Sequence, residues 1–165
     1  MRRVINPWIG EEGYHCYGCD PHHSSGLKME FYEEGEYIVC RWEPTIEFQS
    51  WLDTLHGGVQ ATLLDELCGW VISRKLQRSG VTSRMEMRYR KPVRLSEGTI
   101  YLRAKMVEQR RNIITVEGSL YNSAGELCTE ATCIYFLVTS SNVPVREYTL
   151  AEEEVAPFEV WQKVK

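Results

Sequence analysis

The sequence has no long apolar run. No window approaches the ~20 apolar residues of a membrane-spanning helix. The opening MRRVINPWIGEEGYHC carries two arginines but no apolar stretch of the kind a signal peptide needs. We therefore expect a soluble, cytoplasmic chain with no membrane partner. A basic excess is missing too: 19 Lys+Arg stand against 23 Asp+Glu, for a net charge of −4, so no electrostatic case exists for a nucleic-acid partner. No G-x-G-x-x-G precedes a helical pattern, which leaves dinucleotide binding unsupported, and no G-x-S-x-G elbow marks a serine hydrolase. Internal repeats and low-complexity segments are also absent. Of the six cysteines, Cys40, Cys68, Cys128 and Cys133 fall in strand or helix patterns and read as small buried hydrophobes in a reduced compartment. Only one C-x-x-C occurs, Cys16 to Cys19, with His22 and His23 after it. Structural zinc wants four ligands, usually as two spaced pairs. The expectation is therefore no metal, and a turn carrying reduced thiols. A thioredoxin-like role would need this motif at a helix start in a βαβ unit, and that context is missing.

What is present suits one domain. A chain of 165 residues can bury about 70% of its unfolded surface. Residues 1–26, rich in Gly, Pro, His and Ser, read as an irregular leader. A short strand is expected at Leu27–Tyr32, a turn at Glu34-Gly35, and a returning strand at Tyr37–Trp42 that Pro44 ends. Residues ~57–76, GGVQATLLDELCGWVISRKL, form a helix. At ~100° per residue, Val59, Leu63, Leu64, Leu67, Cys68, Trp70, Val71 and Ile72 cover well over half its circumference. Such a helix is buried on several sides. Gly80 is expected to stop it. The period then switches to two. Val81, Ser83, Met85, Met87 and Tyr89 alternate with Thr82, Arg84, Glu86, Arg88 and Arg90, and similar runs follow at Ile100–Met106, Ile114–Leu120 and Leu127–Val138. Short links between long alternating strands mean antiparallel hairpins. The predicted architecture is α+β: a curved antiparallel sheet of about six strands wrapped around one long central helix. The main domain spans residues 27–140. Residues 141–165 are a peripheral tail that Phe158 and Trp161 could pin to the body.

One segment carries chemistry: Leu55-His56-Gly57-Gly58, with Asp65 on the helix that follows. Two glycines at a helix start let a ligand or another backbone approach closely. The first N–H groups of the helix lack internal partners and the helix dipole adds positive potential, so this tip can polarise a carbonyl. His56 either caps the turn or contacts substrate. Asp65 sits about two turns later, beside Ala61, Thr62, Cys68, Gly69 and Ile72. A carboxylate among small and apolar groups can serve as general base for water or attack a thioester itself. It can equally be an ordinary structural acid paired to an arginine. Glu66, ~100° round toward Thr62, Trp70 and Ser73, ranks second.

LHGGVQATLLDE resembles the signature of the PaaI-like hotdog thioesterases, with His-Gly-Gly and an acid nine residues after the histidine. CYGCDPHHSSGLKMEF and MEMRYRKPVRLSEG are similar to flanking stretches of that group. The resemblance implies a hotdog fold acting on acyl-CoA as a homo-oligomer, a dimer or tetramer, with no cofactor beyond the coenzyme A of the substrate. It implies that the Gly57 N–H binds the thioester oxygen, with Gly58 beside it. Asp65, supplied across a dimer interface, would act on the carbon directly or through water. His56 would help seat the carbonyl or the loop, and Thr82 would position the water. Some relatives carry an asparagine six residues before the histidine; here that position is Ser50, preceded by Gln49. CoA phosphates would lie near basic residues among Arg84, Arg88, Arg90 and Lys91, although such a row is also an ordinary solvated face. Trp51, just before the loop, would border the acyl pocket or else pack in the core, as would Trp42, Trp70, Tyr89 and Tyr101.

Two other functions fit the same pattern. One is an enoyl-thioester hydratase on this scaffold. The other is a non-catalytic acyl-CoA-binding protein.

Overall fold

The computed structural model describes residues 1–138 and 146–164. Gly57–Leu76 form the helix α1, and Leu63, Leu64, Leu67, Cys68, Val71 and Ile72 on it are fully buried. Gln60 is buried too. Its amide donates to the Leu55 carbonyl at 3.1 Å and its Oε1 accepts from Thr129, which satisfies a polar group the interior would otherwise penalise. The helix does not run on to Gly80. Gln77 turns left-handed (φ 52°), and its amide donates to the Arg74 and Tyr148 carbonyls. A long polar side chain thus caps the end, and Gly80 opens the next strand instead.

The strands are β1 (Arg2–Val4), β2 (Tyr32–Glu34), β3 (Tyr37–Trp42), β4 (Gly80–Tyr89), β5 (Ile100–Arg110), β6 (Ile113–Tyr121), β7 (Leu127–Leu137) and β8 (Leu150–Glu154). They form one sheet in the order β4-β7-β6-β5-β3-β2-β1-β8, with every pairing antiparallel. The sequence pattern gives about six. The two additional strands are β1, in the stretch read as leader, and β8, in the stretch read as tail, and they pair with each other. The strand expected at Leu27–Tyr32 begins only at Tyr32, because Leu27 and Met29 donate their N–H groups to the Tyr17 and Gly18 carbonyls of the preceding loop.

The concave face of the sheet holds α1. Ile100, Leu102, Ala104, Ile114, Val116, Leu120 and Cys133 are all buried. Contact is closest at Gly118, where an added Cβ would stand 3.0 Å from Cys68 Sγ and 3.2 Å from Leu64 Cδ2. A larger residue would push the helix off the sheet. The convex face is covered by the C-terminal segment. Trp161 stacks edge-on against Tyr121 (5.6 Å between centroids), Phe158 lies against Tyr101 (5.6 Å), and the Arg103 guanidinium sits over Tyr37, Tyr121 and Trp161 at 5.1–5.4 Å.

The strand β4 is an edge, and it is unusual among the long strands in burying no residue fully on either face. Val81 and Tyr89 are more than half exposed. A β-bulge lies at Ser83, between the Thr82–Tyr135 and Arg84–Ile134 pairs.

Candidate active site

The bulge decides which side chain of β4 meets the helix. Strict alternation puts Thr82 on the face opposite Met85. One surplus residue at Ser83 shifts the phase, so Thr82 and Met85 both face inward. The Thr82 hydroxyl then donates to Asp65 Oδ1 at 2.8 Å. From β7, the Tyr135 hydroxyl lies 3.1 Å from the same oxygen and 2.9 Å from the Asp65 carbonyl. Burial, then the negative groups around it, push the Tyr135 hydroxyl well above its ordinary pKa, so it remains a donor. Sequence reasoning missed Tyr135, which reads as one more aromatic in a core strand. Asp65 is half-buried and lines a cleft of about 470 Å³ together with Thr82, Tyr135, Glu66, Cys16 and Cys19.

At the other end of α1, His56 Nδ1 accepts the Gly58 N–H at 2.9 Å and so caps the helix. The Tyr89 hydroxyl donates to the Gly57 carbonyl at 2.9 Å, and its ring packs on Gly57. Gln49 and Ser50 shape the loop before the tip: Gln49 Oε1 accepts the Asp53 N–H at 2.9 Å and the Ser50 N–H donates to the Thr54 carbonyl at 2.8 Å. Gln49 and His56 also line a second cleft of about 790 Å³, with Trp42, Phe48 and Val59 among its apolar walls. Trp51 is 79% exposed and Leu52 78%, so neither packs in the core.

Glu66 faces the leader segment. Its Oε1 accepts from Trp70 Nε1 at 3.1 Å and lies 3.5 Å from Cys16 Sγ. Both basic candidates at the end of β4 are already paired. Arg90 bonds Glu130, and Lys91 Nζ lies 2.7 Å from Glu126 Oε1. Arg84 pairs with Glu86.

The structure therefore brings Asp65 and Thr82 together, and separately His56, Gly57, Gly58 and Gln49. It does not bring the two groups together in one chain. Eight residues at ~1.5 Å rise put Asp65 about 12 Å along the helix from Gly57.

Residues 52–129 match the family described as the thioesterase superfamily. No curated protein matches the chain. Among solved structures, the chain is similar to a thioesterase superfamily protein at 23% identity and a TM-score of 0.69, covering 74% of this chain and only 60% of that one. It is similar to thioesterase HI1161 from Haemophilus influenzae (19% identity, TM-score 0.63, 71% of this chain and 84% of that one). A third is the BH2602 protein from Bacillus halodurans with CoA (31% identity, TM-score 0.57, 61% of this chain and 66% of that one). Residues 52–129 thus match the thioesterase superfamily, and the chain has a hotdog fold of one helix wrapped by a curved antiparallel sheet.

Proposed function

We propose that the chain is a PaaI-like acyl-CoA thioesterase that works as a homodimer, or a tetramer built from such dimers, and needs no cofactor. The observation that carries this reading is the path of β4. It touches Asp65 at one end through Thr82 and Gly57 at the other through Tyr89. Its outer edge has no partner strand among the described residues. A second copy pairing antiparallel along that edge, about a two-fold axis near Met85 and Glu86, sets each Thr82 opposite the other copy's Tyr89. The acid of one helix then faces the glycine tip of the other. Edge pairing also removes an aggregation-prone ladder and covers the exposed Val81 and Tyr89.

In that arrangement the Gly57 N–H, at the positive end of α1, binds the thioester oxygen and stabilises the oxyanion as it forms. His56 fixes the loop by capping the helix, and Gly58 leaves room for the acyl carbonyl. Asp65, oriented by Thr82 and Tyr135, takes the proton of an attacking water or attacks the carbon itself. Coenzyme A leaves as the thiol. Trp51 and Leu52, on the exposed loop, border the acyl group or the second copy. Arg90 and Lys91 would exchange Glu130 and Glu126 for CoA phosphates.

Thiol release from several acyl-CoAs tests the reading. Asp65→Asn should lower kcat at least ~10²-fold with a modest change in KM. Near-wild-type turnover in that variant, or tight acyl-CoA binding with no thiol release from the native chain, would refute it. The second outcome would leave a binding protein. Absorbance change on crotonyl-CoA without thiol release would point to the hydratase instead.

A further inference from the structure

Three side chains on the wall of the Asp65 cleft play no part in this mechanism. Cys16 Sγ, Cys19 Sγ and a Glu66 carboxylate oxygen lie within 4.8 Å of one another, the one such group of metal-ligating atoms among the described residues. The loop that carries the cysteines is folded as a knuckle. The Cys19 backbone N–H points at Cys16 Sγ from 3.1 Å. A backbone donor aimed at the sulfur stabilises negative charge there. Gly18 lets the knuckle close on the helix. An added Cβ there would stand 2.5 Å from Glu66 Cδ, so a larger residue would push that carboxylate away from the loop. Leu27 and Met29 tie the loop down through Tyr17 and Gly18, and Asn6 holds it from the other side through the Cys19 carbonyl and the Tyr14 hydroxyl.

We propose that Cys16, Cys19 and Glu66 bind a thiophilic divalent cation, best fitted by Zn(II), with the fourth coordination position open to the cleft that holds Asp65. Tetrahedral zinc with Zn–S of ~2.3 Å and Zn–O of ~2.1 Å sets sulfur and oxygen ligands ~3.6 Å apart. Cys16 Sγ and Glu66 Oε1 stand at 3.5 Å. Two soft sulfurs and one carboxylate suit zinc over magnesium or calcium. Binding displaces the thiol protons and relieves the mutual repulsion of three potentially anionic groups in a half-buried pocket. Local spacing offers His22 and His23 beside the C-x-x-C and hides the third ligand, which comes from α1, fifty residues from Cys16. His22 and His23 are not part of it. His23 stacks on His15 and accepts the Ser25 N–H.

The test is metal binding by the full-length chain, kept reduced and free of chelator, with no thioester present, so its outcome is independent of the thioesterase reading. Zn(II) is titrated against a chromophoric chelator, and Co(II) is substituted to read the thiolate-to-metal charge-transfer band. One ion per chain is expected, with that band present. Removing even an outer-shell partner typically costs a metal site about 10–100-fold, so Glu66→Gln should weaken binding at least tenfold and the Cys16→Ser/Cys19→Ser pair should abolish it. Circular dichroism checks that the variants fold. If the serine pair does not fold, Glu66→Gln and the wild-type cobalt spectrum decide. With six thiols counted in an unfolded aliquot, absence of stoichiometric binding, a cobalt spectrum without thiolate bands, or unchanged affinity in Glu66→Gln overturns the proposal.

Discussion

Replacing Tyr135 with phenylalanine removes one oxygen atom and little else. The ring is 2% exposed, so its packing survives, while Asp65 Oδ1 keeps only the Thr82 hydroxyl and the Asp65 carbonyl loses its side-chain donor. A hydrogen bond to a charged group contributes about 1.5–3 kcal/mol. Thr82 remains and water can reach a half-buried carboxylate, so the lower half of that range is the better figure. It corresponds to a fall in kcat of about 10–30-fold, at ~1.4 kcal/mol per decade. KM should hold, because Tyr135 touches the acid and not the acyl-CoA. The assay is steady-state thiol release, with thermal unfolding measured in parallel to confirm a native fold. Thr82→Val on the wild-type and Tyr135→Phe backgrounds completes a cycle. Both hydroxyls serve one oxygen, so the double variant should deviate from additivity by at least ~0.5 kcal/mol. If kcat in Tyr135→Phe stays within twofold of wild type while Asp65→Asn is inactive, Tyr135 does not orient the acid. A raised KM with unchanged kcat would place Tyr135 in substrate binding instead.

Three further outcomes follow from the packing. Deleting Ser83 should remove the bulge, turn Thr82 to the outer face and suppress thiol release while leaving far-ultraviolet circular dichroism native-like. Gly118→Val should lower stability to denaturant by about 1–3 kcal/mol, the cost of overpacking a site where even a Cβ crowds Cys68 and Leu64; an unchanged midpoint would show that α1 can shift away freely. In metal-free native protein, Cys16 should alkylate first. Cys40, whose thiol full burial pushes up to about 12, should react only on unfolding.

The sequence carries most of the fold. The apolar residues of α1 go nearly all round, which only a wrapped helix can satisfy, and the alternation in β5, β6 and β7 matches their buried faces over most of their length, failing at Met106 and at the Leu120–Tyr121 and Cys128–Thr129 pairs. What it hides has physical causes. A bulge leaves no mark in a period-two pattern, so the partnership of Thr82 with Asp65 is invisible to alternation, although family resemblance singles out Thr82. The hydroxyl of Tyr135 looks like any core aromatic until the strand register puts it over Asp65. The strands β1 and β8 are three and five residues long and pair only with segments far away in sequence, too short for any local period to reveal. The end of α1 rests on the side chain of Gln77, which no glycine rule anticipates.

The spacing of Gly57 and Asp65 on one rigid rod has a consequence for how the protein behaves in a dilute cell. A lone chain on the proposed mechanism owns both halves of the chemistry and can use neither, since the helix holds them apart. Turnover then rises with the square of protein concentration until copies saturate one another. Expression level, rather than any effector, would act as the threshold that switches the activity on.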